Sequence, residues 1–256
     1  MKSNFDFLNR YWPALAQIGA TAETYVYSDP NACIYKLGMF AERLVQEILV
    51  FEHIAEPTVD NTHANRIRIL KRAGLLPHEI DNTLYVLRKT RNSAVHTGTD
   101  SVDEAKTLLS LTYNLAVWFM KTYGDWGYIA PAFVMPDEST HENLESVIAE
   151  QEKKIEELTK RLAVVTTAAS GKTQKERAKR SESVSAMMNW DEAQTRCLID
   201  EQLHLSGWEA DTQNLRYGKG TRPVKGRNIA ISEGLPIQPF IRTDMWIMRS
   251  LLVRNS

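Results

Sequence analysis

Cysteine is scarce in this chain: Cys33 and Cys197 are the only two in 256 residues, and neither belongs to a Cys-x-x-C pair or a Cys/His cluster. That excludes a disulfide framework and a finger-type zinc site. Long apolar runs are missing as well. No stretch of about 18 apolar residues occurs, and the opening Met1–Pro13 carries no apolar signal-peptide core. A cytoplasmic protein that does not enter a membrane is therefore expected. Neither sign of charge dominates, with 31 Lys and Arg against 32 Asp and Glu. A uniformly basic nucleic-acid coat is excluded, although basic residues can still gather locally. The chain also lacks a Ser/His/Asp order, a His-Glu-x-x-His helix and a glycine-rich dinucleotide turn. What it has is 43% hydrophobic residues, enough for a real core in one large domain or two smaller ones.

Residues 1–137 read as a helical bundle. Ile34, Leu37, Ala41, Leu44, Val45 and Ile48 fall on one stripe at helical spacing, preceded by the start signal Ser28-Asp29-Pro30. A second helix is predicted from about Thr62 to Ala73, ending at Gly74. Pro77 and Asp81 open a third, through Leu84, Val86 and Leu87. A fourth starts at Ser101, with Glu104 three residues on, and carries Leu108, Leu111, Leu115 and Phe119.

Residues 138–182 change character. Leu144, Ile148, Gln151, Ile155, Leu158, Leu162 and Val165 step by four and three, the seam of a short coiled coil that would pair two copies or separate two domains. A polar, basic linker with Lys172, Lys175, Arg177, Lys179 and Arg180 follows. Over residues 183–233 a second unit begins. Asp191 or Asn189 caps a helix that ends at Gly207, and Asn228–Glu233 reads as the first strand of a sheet. The fold class expected is mainly α: an N-terminal helical bundle, a coiled-coil linker, and an incomplete α/β domain.

Three motifs bear on chemistry. Ala169-Ser170-Gly171-Lys172-Thr173 matches only the end of a P-loop; Thr166 stands where its first glycine belongs, so the segment reads as linker. Arg91 and His96 have the spacing of the HEPN-superfamily ribonuclease motif, in which the histidine moves protons and the arginine stabilises phosphate charge. The other reading is that Asn92 and His96 tie down a helix end. Arg216, Lys219, Arg222, Lys225 and Arg227, with Tyr217 among them, make either a phosphate-tracking segment or a solvated loop.

Taken in order, several segments resemble the N-terminal part of the restriction (R) subunit of type I restriction–modification enzymes. Ser3–Leu8, Lys36–Glu42, Leu87–His96, Leu115–Phe119 and Phe133–Pro136 resemble the helical domain of unknown function, DUF4145 type and HEPN-like, that heads many such subunits. Glu192–Leu203, Gly207-Trp208 and Asn228–Glu233 resemble the opening of that family's nuclease domain, of the PD-(D/E)xK type. The resemblance implies a DNA-cleaving, ATP-dependent translocating enzyme using Mg²⁺ and working with modification and specificity subunits. It implies no cofactor within this stretch, since the motor domains and metal ligands lie further along. Glu192 is the one carry-over to a catalytic edge. The family often has glycine where Arg91 stands, which points to a structural turn there.

After Glu233 the family pattern runs Trp-Pro-Thr and then Gly-x-Ala-Asp-Tyr, which Gly234-Leu235-Pro236-Ile237 does not match. Loss of one T after the Glu233 codon would account for this. Restoring it turns the following codons into Trp-Pro-Thr, and Met245-Trp246-Ile247 shifts to a forced Val-Asp. Residues 234–256 are thus expected to be out-of-frame translation of a truncated subunit, itself inactive and limited to DNA or subunit contacts. The competing expectation is a ribonuclease or RNA-binding module built on Arg91 and His96.

Overall fold

The structure is a computed structural model that describes residues 3–97, 101–138, 173–212 and 214–232. The coiled-coil seam at 144–165 and the tail at 234–256 lie outside these residues. The chain forms two compact units, Met1–Asn189 and Trp190–Ser256.

In the first unit the helices are α1 (Pro13–Tyr25), α2 (Pro30–Phe51), α3 (His63–Arg72), α4 (His78–Thr97), α5 (Val102–Phe119) and α6 (Gln174–Ala186). The mainly helical reading holds, and its start signals act as their chemistry requires. Asp29 accepts from the Ala32 N–H at 2.9 Å, Thr62 from Asn65 at 3.2 Å, and Ser101 from Glu104 at 3.2 Å. Gly74 closes α3 in the left-handed region at φ 68°.

Helix α2 is the axle of this unit, packing against α1, α3, α4 and α5. The stripe read from the sequence is wholly buried, and Cys33, Phe40 and Leu49 join it. The buried face is wider than one stripe because neighbours approach from several sides. Phe5, Trp118 and Phe119 are among the largest fully buried side chains, each worth about 3–5 kcal/mol if truncated to alanine. Beyond α5, one wide turn at Met120–Gly124 leads into an extended segment that returns across the bundle. Asn4 grips it through both Val134 backbone groups at 2.8 and 2.9 Å, and the Tyr27 hydroxyl donates to the Pro136 carbonyl at 2.9 Å.

The described part of the expected linker, residues 173–180, differs. Thr173 is the cap of α6 in a reciprocal capping box with Glu176, so the P-loop-like run ends as a helix start. Arg177 is buried and donates twice, at 2.7 Å each, to the fully buried Glu52 carboxylate. Ser181 donates to the Leu75 carbonyl at 3.1 Å and accepts the Trp118 indole N–H at its own carbonyl at 3.3 Å. Ser185 reaches Glu79 at 2.9 Å. The face that docks is Arg177, Ser181, Val184 and Ser185, joined by small and polar contacts. Apolar periodicity could not reveal it.

The second unit contains α7 (Glu192–Leu205), β1 (Glu209–Ala210) and β2 (Ile229–Ala230). Asp191 and Gln194 form the capping box of α7. At its other end Gly207, at φ 80°, lets Trp208 N–H reach Leu203 and Gly207 N–H reach His204, a Schellman closure. The strands pair in parallel, Glu209 with Ile229 and Ala210 with Ala230, with a further bridge between Arg216 and Ser232. The segment Asn228–Glu233, expected to supply the first strand, supplies the second. The first, Glu209–Ala210, is too short to show a two-residue alternation.

Candidate functional site

The polar side chains of the first unit converge where α2, α3 and α4 meet. On α2, Tyr35, Gly38 and Glu42 are spaced i, i+3, i+7 and share one face. Arg91 of α4 lies along that face. Its guanidinium stands 5.0 Å from the Tyr35 ring centroid and its Nη1 donates to Glu42 at 2.7 Å. Gly38 makes this possible: a Cβ there would lie 2.4 Å from Arg91 Cδ. A glycine in mid-helix disfavours the helix by about 1 kcal/mol, and here it gives the arginine stem its channel.

The second Glu42 oxygen accepts from Arg66 of α3 at 3.1 Å. Arg66 also donates to Glu56 at 2.7 Å and to Asn61, so each of its guanidinium nitrogens has a partner although the residue is almost wholly buried. Burial raises the Glu42 pKa, but the hydrogen bond and charge of Arg91, aided by His63 and Arg66, outweigh it and leave the group lowered. Beside them His63 is 9% exposed, and neither ring nitrogen has a hydrogen-bond partner among the described residues. Burial pushes its pKa down to about 4; Arg88, Arg91 and Arg66 reinforce this against the pull of Glu42. Arg88, one turn before Arg91, stands 5.0 Å over the Tyr85 ring.

Arg91 therefore sits in mid-helix, and α4 continues to Thr97. No turn interrupts it at Arg91, contrary to the expectation drawn from glycine at this position; Gly38 on the facing helix makes room for the arginine stem. His96 falls within α4 but its side chain lies outside the described ones. The partners assembled around Arg91 are Tyr35, Glu42, Arg66 and His63. Sequence reasoning missed them, and the isolated Gly38 was the signal that something approaches closely.

In the second unit, Glu192 occupies the first turn of α7 with its side chain 79% exposed, paired to Arg196 one turn on. Of the five basic residues, three are engaged locally. Arg216 donates to the Thr212 carbonyl at 2.8 Å. Arg222 stacks 3.7 Å over Tyr217 and donates to its carbonyl at 2.8 Å. Arg227 forms a fork with Glu209, whose pKa it lowers. Lys219 and Lys225 are exposed, beside the left-handed glycines Gly220 and Gly226. Among the described residues no three His, Cys, Asp or Glu side chains gather in a metal-holding group, and no helix is long and apolar enough to cross a membrane.

Residues 20–161 match the family model described as a domain of unknown function (DUF4145). The chain is also 27% identical to the type I restriction enzyme EcoKI endonuclease subunit of Escherichia coli (strain K12), over 91% of this chain and 24% of the relative. It thus spans about a quarter of the length of that curated relative. No solved structure matches.

Proposed function

This chain belongs to the DUF4145 family, and from that membership and its distant relation to a type I restriction endonuclease subunit we propose that it serves in a restriction system. It corresponds to the leading part of the DNA-cleaving, ATP-dependent translocating subunit, and its own work is contact with DNA or with the modification and specificity subunits. The observation that carries this reading is the reach of the similarity, over 91% of the chain, well beyond the residues the family model matches.

The second unit supports a DNA contact. Its connection between β1 and β2 projects Lys219 and Lys225 into solvent, while Arg216, Arg222 and Arg227 are braced by backbone, ring and carboxylate partners. Braced arginines shape the loop, and free lysines are point charges for phosphate. Glu192, exposed and paired, would stand at an edge of a nuclease fold. Mg²⁺ and ATP are cofactors of the enzyme the relation implies, but the described residues offer Mg²⁺ no cluster of ligands.

Duplex DNA binding followed by fluorescence anisotropy tests this reading, together with co-purification of co-expressed modification and specificity subunits. Binding should weaken with salt, and Lys219→Gln with Lys225→Gln should lower the log–log salt slope by about two. Absence of both DNA binding and subunit capture would refute the proposal. RNA cleavage that disappears in His96→Ala would replace it with the ribonuclease reading.

A further inference from the structure

We propose that the junction of α2, α3 and α4 around His63, Arg88 and Arg91 is a binding site for a phosphate group. The starting observation is His63. Its imidazole is nine-tenths buried, yet both nitrogens lack a partner among the described residues. Native proteins rarely bury a ring with two unmet hydrogen-bonding groups, and a bound ion is one way in which such groups are met.

The surroundings select the sign of that ligand. Three guanidinium groups, Arg88, Arg91 and Arg66, act electrostatically on His63, and Glu42 is the one acid that does. Each guanidinium nitrogen of Arg66 already has a partner, in Glu42, Glu56 and Asn61. Arg91 spends one nitrogen on Glu42. Arg88 has no acidic partner among the described residues and is held only over the Tyr85 ring. Arg88 and Arg91, one turn apart on α4, thus act on the imidazole of α3 while Glu42 is already shared between two arginines.

A tetrahedral phosphate presents several acceptor oxygens, which suits two guanidinium forks and an imidazole N–H arriving from separate helices. The two arginines are each backed by a tyrosine ring, Tyr35 and Tyr85. Such rings also offer a face to a sugar or base, so the phosphate can be free, or carried by a nucleotide or nucleic-acid backbone. This site lies in the first unit and does not depend on the DNA-contacting loop proposed for the second.

The test uses the full chain labelled with ¹³C at histidine Cε1, the His63 signal being assigned by its loss in His63→Gln. Inorganic phosphate, AMP, a short single-stranded oligonucleotide and the same sequence as duplex are titrated in separately. The site predicts a saturable shift of the His63 signal and a rise of its titration midpoint above about 4, because a bound anion favours the protonated ring. Arg88→Gln, which breaks no ion pair, should weaken that binding about tenfold or more, the loss of a charge-assisted hydrogen bond. Lys179→Gln, at an exposed position of α6, should leave it unchanged. A shift with inorganic phosphate alone identifies a free anion, and a tighter one with AMP or an oligonucleotide identifies its carrier. A His63 signal unmoved by all four probes, or moved equally in Arg88→Gln, overturns the proposal.

Discussion

Replacing Gly38 by alanine sets two effects of known size against each other. Alanine improves a helix interior over glycine by about 0.8–1.0 kcal/mol, so α2 taken alone should become more stable. In the folded chain the new methyl would lie 2.4 Å from Arg91 Cδ, 2.6 Å from its Cβ and 2.7 Å from its Cγ. Carbon contacts are comfortable near 3.5–4.0 Å, and the Arg91 Cβ is fixed to α4, so rotating the side chain does not relieve the clash. The helices must part or Arg91 must leave Glu42. Overpacking of this kind costs about 1–3 kcal/mol. The partly exposed Arg91–Glu42 pair adds at most about 1 kcal/mol. The net expectation is a destabilisation of about 1–2 kcal/mol. In an Arg91→Gly background the clash vanishes, and Gly38→Ala should instead stabilise by about 1 kcal/mol. Urea denaturation of the four proteins, followed by circular dichroism, measures the coupling. If Gly38→Ala changes stability equally in both backgrounds, the glycine is not there for the arginine.

Two further outcomes are expected. Arg177→Met leaves the Glu52 carboxylate buried without its partner and should cost about 3–5 kcal/mol; the double change Glu52→Leu with Arg177→Met should regain most of it, measured by the same denaturation. Failure of the single change to destabilise would mean that α6 does not clasp the bundle. For His63 the folded value, about 4, lies below the ordinary 6.5. Between those values the unfolded chain binds the proton and the folded chain does not, so stability is full above about pH 6.5 and falls as the pH drops toward about 4. The loss reaches about 3 kcal/mol, and the lowered Glu42 adds to it only below about pH 4.5. His63→Gln should flatten the profile, and a wild-type profile already flat over that range would show that the ring is not buried neutral.

How much was legible depended on what held each element. Caps and apolar stripes are local, so α2, α3 and α5 could be placed to within a residue or two from Asp29, Thr62, Ser101 and the leucines that follow. Helix α6 escaped because its anchors, Glu52, Leu75 and Glu79, lie about a hundred residues away and its own face is serine and arginine. The polar junction was half visible. Arg91 was singled out for its spacing to His96, a relation within one helix, whereas its contacts are made to Tyr35 and Glu42 on another. Nothing in the pattern around His63 distinguishes a buried imidazole from a surface one. Gly38 could have, since a glycine amid good helix formers is retained against its own propensity.

The return of α6 has a consequence for register. Asn4 and Tyr27 hold the chain as far as Pro136, and Glu52 and Leu75 take hold of it again from Arg177. Arg177 and Ser181 stand one turn apart on α6 and meet partners fixed on other elements. A single residue inserted between them would rotate Ser181 by about 100° relative to Arg177, so that only one of the two could keep its partner.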